Sequence, residues 1–275
     1  MVECALKESI NPASFVDLMS SWVRGAKVYA KPKQVVPFYY DISNTTEISR
    51  TFLEVLGAAI YSKKQNEKCT IYDPNEFLSI ALMYNPNIKV VKTAPENTNT
   101  ISIKSLQDIT KTLKFSEIKA AAADIFKYQS LFNQSILNVL KNASIRSTFD
   151  MVIHLVTDAS GANIPWYIST IKEYQKKTKK TALNLYIMTD SYANVTAFQA
   201  VADPSWKLMS LSKVPPTDAA SALFQQLAEV QIFAVAPAAI LDFQYALDRF
   251  MFVMQRNPKG YEFFRELHNA EWVIF

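Results

Sequence analysis

The sequence predicts an α/β protein made of two Rossmann-like halves, each built on a parallel sheet, facing one cleft. Two observations carry this. Short apolar runs suited to strands alternate with stretches of roughly 10 to 20 residues suited to helices, and that alternation implies parallel strands covered on both faces. The series also occurs twice, on either side of the short polar stretch KNASIRST (141–148), which divides the 275 residues into a first half at 1–145 and a second at 146–275.

Asn11 and Pro12 read as the N-cap and first turn of an amphipathic helix that Gly25 stops. Phe15, Leu18, Met19, Trp22 and Val23 fall at i, i+3, i+4, i+7 and i+8 along it, a packing stripe. VVPFYY (35–40) is a strand, and 46–64 is a helix with Ile48, Phe52, Leu56, Ala59 and Ile60 on one side. CTIYD (69–73) is a short buried strand, after which Asp73 and Pro74 cap another helix. A strand at 88–91, a polar loop TAPENTNT (93–100) and helices at 105–114 and 116–141 complete the first half. In the second half MVIHLV (151–156), LNLYIM (183–188), WKLMSL (206–211) and AILDF (239–243) are strands. Helices are expected at 165–177, after Asp190 and Ser191, at 218–235, at 245–256 and at 258–267.

Composition narrows the chemistry. The chain has four glycines, Gly25, Gly57, Gly161 and Gly260, where average usage of roughly 7% would supply about 19. Glycine lets the backbone approach a phosphate closely. The shortage accordingly leaves no G-x-G-x-x-G, no G-x-x-x-x-G-K-[ST] and no G-x-S-x-G. Hydrophobic residues make up 49% and charged residues 20%, with no apolar run near the ~18 residues of a spanning helix. The first residues carry two glutamates and no apolar h-region, so no secretory signal is expected. Cys4 and Cys69 are too few for a disulfide framework, which fits an intracellular, reducing location. The sequons at Asn44, Asn133, Asn142 and Asn194 are then expected to stay unmodified. Net charge is +4 and spread along the chain. The densest run, Lys172, Lys176, Lys177, Lys179 and Lys180, reads as a solvated helix face rather than a polyanion site, and nucleic acid is not an expected partner.

In doubly wound sheets ligands bind outside the carboxyl ends of the strands. The loop TDASGANIP (157–165) offers Asp158, Ser160 and Gly161 ahead of a helix N-terminus, a natural anion site. Asp190 either accepts hydrogen bonds from a sugar or, more commonly for such a residue, caps the next helix. Gln244 and Tyr245 follow the last strand, with Arg249 one turn further on in an apolar helix. That arginine either pairs with an internal carboxylate or contacts a phosphate. His154, inside an apolar strand, reads as a buried histidine bonded to backbone. With only His268 besides it, no metal site is expected.

The order of elements and several of these segments resemble the fucosyltransferases of the GT-B fold, which include α-1,6-, α-1,2- and protein O-fucosyltransferases, over residues 35–256. The family's helix, basic pair and strand match 46–73, with Lys63 and Lys64 as the pair, but its glycine turn falls on Glu47, Ile48, Ser49 and Arg50. Its H-x-R-x-x-D signature meets His154, Leu155, Val156, Thr157 and Asp158: the histidine is kept, valine stands for arginine and the aspartate comes one position early. A strand ending in Thr-Asp matches LYIMTD (185–190). In AEVQIFAVAPAAILDFQYALDRFMFVMQ (228–255), Glu229 takes the place of the acid that reads guanine, Gln244 and Tyr245 replace phosphate-holding serines, and Arg249 stands where the family often has arginine.

The resemblance thus implies a sugar-nucleotide transferase scaffold altered in three features that handle the diphosphate. Losing a charged partner of the leaving group removes transition-state stabilisation. Val156 supplies none, and Arg50, Arg146 and Arg249 are the candidates to replace it. The expectation is a protein that has lost catalysis, needs no cofactor, and serves a structural or binding role among other protein subunits, intracellular or virion-associated. The alternative is an active inverting transferase using GDP-fucose or another nucleotide sugar. Asp158 and Asp190 would then orient or deprotonate the acceptor hydroxyl. Glu229, Arg249, Gln244, Tyr245, Ser160, Gly161 and His154 would line the donor site. The 17 Phe, 13 Tyr and 8 Met residues form either core or a surface for partners.

Overall fold

The computed structural model describes residues 27–30, 38–41, 48–66, 68–73, 77–93, 99–100, 103–145, 148–156, 163–256 and 263–268. The helix expected at 11–25 lies outside them. The chain folds as two compact units. Among the described residues one takes in those up to Asn133 together with Thr217–Leu223, the other Gln134–Pro216 and those from Phe224 to His268.

The first unit contains β1 (Lys27–Ala30), β2 (Phe38–Asp41), α1 (Ile48–Lys64), β3 (Cys69–Tyr72), α2 (Phe77–Ala81), β4 (Ile88–Val91), β5 (Asn99–Thr100), α3 (Ile103–Thr110) and α4 (Phe115–Ile125). The next helix, α5 (Ser130–Asn142), straddles the division between units. The sheet order is β4-β3-β1-β2-β5. Contrary to expectation this sheet is mixed: β1 runs antiparallel to both β2 and β3, while β2 pairs parallel with β5 and β3 with β4. Connection length explains it. Seven residues separate β1 from β2, too few for the crossover of a dozen or more that a parallel neighbour requires. The 17-residue α1 carries the chain from β2 to β3, and β1 lies between those two mutually parallel strands. Strand β1 and the pairing of 99–100 were not foreseen from the sequence, since each is short and lies next to polar residues.

Helix α1 is buried nearly all round rather than along one stripe. Phe52, Val55 and Leu56 are fully covered, and so are Thr51, Glu54 and Ser62. Arg50 Nε donates to Glu54 Oε1 at 3.2 Å one turn on. Asp73 caps as expected, its Oδ2 accepting from the Leu78 amide at 2.6 Å. The single helix expected at 116–141 is two. Met83 N–H donates to the Lys127 carbonyl at 2.6 Å and Gln129 N–H to the Ala81 carbonyl at 3.0 Å, forming a bridge between Leu82 and Tyr128 that interrupts the helix.

The second unit contains β6 (Met151–His154), α6 (Ile164–Thr178), β7 (Leu183–Met188), α7 (Tyr192–Val201), β8 (Trp206–Met209), α8 (Ala219–Val235), whose first residues belong to the other unit, β9 (Ala238–Leu241), α9 (Ala246–Met254) and β10 (Phe263–Glu266). All four strand pairings are parallel, in the order β10-β9-β6-β7-β8. The chain therefore starts at the central strand, runs outward to β8, then returns to β9 and runs outward to β10. This is the doubly wound order, and its direction reverses between β6 and β9. Strands this apolar sit between two helical layers. On one face Met151, Ile153, Leu185, Ile187 and Ile240 pack against Tyr167, Ile171 and Tyr174 of α6 and Val195 and Phe198 of α7. Val152, Tyr186, Ala239 and Leu241, the alternate residues, are buried as well.

One element here corrects the sequence reading. Residues 263–266 form a strand, not the end of a helix, and pair with β9 over four residues. The charges at Arg265 and Glu266 mimic a solvated helix face. Alternation decides instead, because Phe263 packs against Tyr174 while Phe264 stacks on Phe243 at 5.3 Å.

Candidate functional site

The reversal point between β6 and β9 is where a doubly wound sheet places its ligand crevice. Here it holds a hydrogen-bonded cluster of acids and histidines. His154, the last residue of β6, meets Asp248 in the first turn of α9, with Nδ1 2.7 Å from Oδ2. The same Oδ2 accepts from the backbone N–H of Asp242, just past β9, at 2.5 Å. Asp242 Oδ2 lies 2.8 Å from His268 Nδ1, beyond β10, and its Oδ1 accepts from the Gln244 amide at 3.1 Å. Both histidines of the chain thus pair with aspartates that are 0% exposed. A buried carboxylate is costly unless it is paired and hydrogen-bonded. Oδ1 of Asp248 has no hydrogen-bond partner among the described residues.

Neighbouring side chains bond to the backbone at the end of β6. Tyr167 of α6 donates its hydroxyl to the His154 carbonyl at 2.9 Å and accepts from the Val156 amide at 3.1 Å. Asn163 Nδ2 donates to the Val156 carbonyl. The Tyr245 ring stands edge-on to His154 at 5.3 Å. Burial pulls the His154 imidazole down, but the Asp248 carboxylate outweighs it, aided by Glu229 and Asp242, so its pKa lies above 6.5.

Of the other expected site residues Glu229 is buried and Arg249 half-buried, whereas Gln244, Tyr245 and Asp190 are exposed. Glu229 of α8 is 5% exposed and accepts from the Tyr186 hydroxyl at 2.9 Å. That hydroxyl in turn accepts from the Leu211 amide at 3.1 Å. Burial pushes the Glu229 carboxyl up to about 7, against the opposing pull of the Tyr186 hydrogen bond. Arg249 Nε donates to the Phe243 carbonyl at 2.6 Å, which ties the guanidinium to the turn after β9. Asp190 is exposed and does not cap α7. Ser191 is the N-cap residue, without a side-chain cap bond, and the Thr189 hydroxyl gathers Asp190 Oδ1, the Ser191 amide and Asn194 Nδ2. Asp158, Ser160 and Gly161 lie outside the described residues. His154 departs from the backbone-bonded expectation, because its partner is a carboxylate 94 residues away in sequence.

Asp242, His268, Tyr186 and Tyr167 were not singled out by the sequence. An acidic residue inside each of two apolar runs, AILDF and ALDRFMFVM, was the available signal for Asp242 and Asp248. Among the described residues no group of three or more His, Cys, Asp or Glu is placed to hold a metal ion. No described helix is long and apolar enough to cross a membrane.

Comparison with solved structures decides the fold. The NodZ α-1,6-fucosyltransferase soaked with GDP-fucose superposes with a TM-score of 0.54, over 76% of this chain and 89% of that one, at 11% identity. The fold is that of the GT-B fucosyltransferases. Fucosyltransferase NodZ from Bradyrhizobium gives 0.50 at 11% identity, over 74% and 88%. A mutant of Arabidopsis thaliana FUT1 in complex with GDP gives 0.50 at 6%, over 77% of this chain and 67% of that one. No protein-family model and no curated protein sequence matches the chain. The fucosyltransferase fold is therefore retained at sequence identities of 6% to 11%.

Proposed function

We propose that this protein keeps the glycosyltransferase frame without its catalysis and serves as a binding or structural component among protein partners. One observation carries the reading. The polar side chains at the reversal point of the second sheet bind one another: His154 holds Asp248, and Asp248 holds the Asp242 amide. Two further features support it. Glu229, at the place of the guanine-reading acid, is buried and bonded by Tyr186. Val156 stands where the family has its phosphate arginine and puts only alkyl carbon there. Preorganised charge aimed at the leaving group is usually the largest single contribution to such catalysis, so its loss predicts a large fall in rate.

NodZ and FUT1 have been solved with GDP-fucose or GDP, so the same donor is the one to test. Incubation with GDP-fucose, with and without oligosaccharide or protein acceptors, is expected to release no GDP above the uncatalysed rate. GDP release that Arg249→Ala abolishes would establish an active, inverting, fucosyltransferase-like enzyme with a modified diphosphate site.

A further inference from the structure

The first unit contains a cavity of about 390 Å3 that belongs to neither the second sheet nor its loops. It lies beside β4, the end strand of the first sheet among the described residues. Its walls are Ile71 of β3, Leu78 of α2, Leu82, and Ile125 at the end of α4. Met83 and Tyr84 also line it, 55% and 87% exposed, an unusual degree of exposure for large side chains. Its size falls in the roughly 300–1,000 Å3 range that encloses a small organic molecule.

Polar groups decide the ligand. The two amide side chains of the lining are already used by the protein. Asn85 Nδ2 donates to Asp124 and its Oδ1 accepts from the Asn87 amide, while Gln129 Nε2 donates to the Ser79 and Leu82 carbonyls. A sugar would find few partners there. Besides the Ser79 and Tyr84 hydroxyls the lining holds two cations, Lys68 and Lys89, both exposed, and no Asp or Glu among the described residues. Neither lysine forms an ion pair among the described residues.

We propose that this cavity binds a small amphiphilic anion, its apolar body between Ile71, Leu78, Leu82 and Ile125 and its acidic head at Lys68 and Lys89. Apolar burial supplies the affinity and the lysines supply the choice of charge.

Titration calorimetry of the full chain with decanoate and with decylammonium, equal in chain length and opposite in charge, tests this. Decanoate is expected to bind saturably at one site, and decylammonium at least about tenfold more weakly. Lys68→Gln with Lys89→Gln is expected to weaken decanoate about tenfold, and raised salt to reproduce part of that loss. Ser79→Trp, at an exposed lining position, is expected to fill the cavity and abolish binding. Unchanged melting temperatures of the variants show that they fold. Absence of saturable decanoate binding, equal affinity for the two ions, or binding that survives Ser79→Trp would overturn the proposal. So would an extended apolar peptide that binds beside β4 while decanoate does not.

Discussion

Glu229 and His154 face the same interior region and respond to pH in the same sense. Burial raises the Glu229 carboxyl to about 7, so folding costs nothing extra while the unfolded carboxyl is also protonated, below pH 4.5. As pH rises from 4.5 to about 7 the unfolded state loses its proton first, and the folded state becomes relatively less stable. His154 adds to this. Its raised pKa stabilises the fold below pH 6.5, and that contribution is lost as pH climbs through the folded value. Glu229→Gln keeps an acceptor for Tyr186 and removes the carboxyl. Compared with the parent at pH 8, the variant should gain up to about 3 kcal/mol relative to their difference at pH 4. Denaturant unfolding at the two pH values measures it. Equal pH dependence in the two proteins would show that Glu229 is ionised and solvated.

At the scale of elements, scarce glycine leaves turns to other residues. Asn66, Ser144 and Lys179 all adopt positive φ, near 55 to 57°. Lys179 closes α6 in the left-handed region, its amide donating to the Gln175 and Lys176 carbonyls. Glycine is the usual residue there because it has no Cβ to strain. Lys179→Gly should therefore stabilise the protein, by up to about 1 kcal/mol, read from thermal unfolding. A loss of stability would mean that the Lys179 side chain contributes more than the strain costs. Strands β4 and β7 were legible residue by residue because each is a short, mainly apolar run, broken by one polar residue (Lys89, Asn184) and bounded by polar residues. Strand β10 was not, because its charges at Arg265 and Glu266 match a helix pattern and only its pairing with β9 favours a strand. The break between α4 and α5 was equally hidden, since it depends on Leu82, more than 40 residues earlier in sequence. The hydrogen-bond partners of the candidate site residues were not legible in the sequence. His154, Glu229 and Arg249 were marked by type and place, yet Asp248, Tyr186 and the Phe243 carbonyl are contacts that only the folded chain creates.

For the whole molecule, the second unit has the doubly wound order that in nucleotide-binding proteins leaves a crevice at the reversal. Here His154, Asp248, Asp242 and His268 are joined by hydrogen bonds at that reversal. Donor binding tests most directly the proposal that these polar groups serve one another rather than a nucleotide sugar. Any ligand that binds the native state alone must raise its melting temperature, by an amount that grows with concentration over the dissociation constant. The measurement is a thermal-shift titration of the full chain with GDP and GDP-fucose to millimolar concentration. The account predicts an unchanged melting temperature throughout. A concentration-dependent rise that Arg249→Ala abolishes would contradict it.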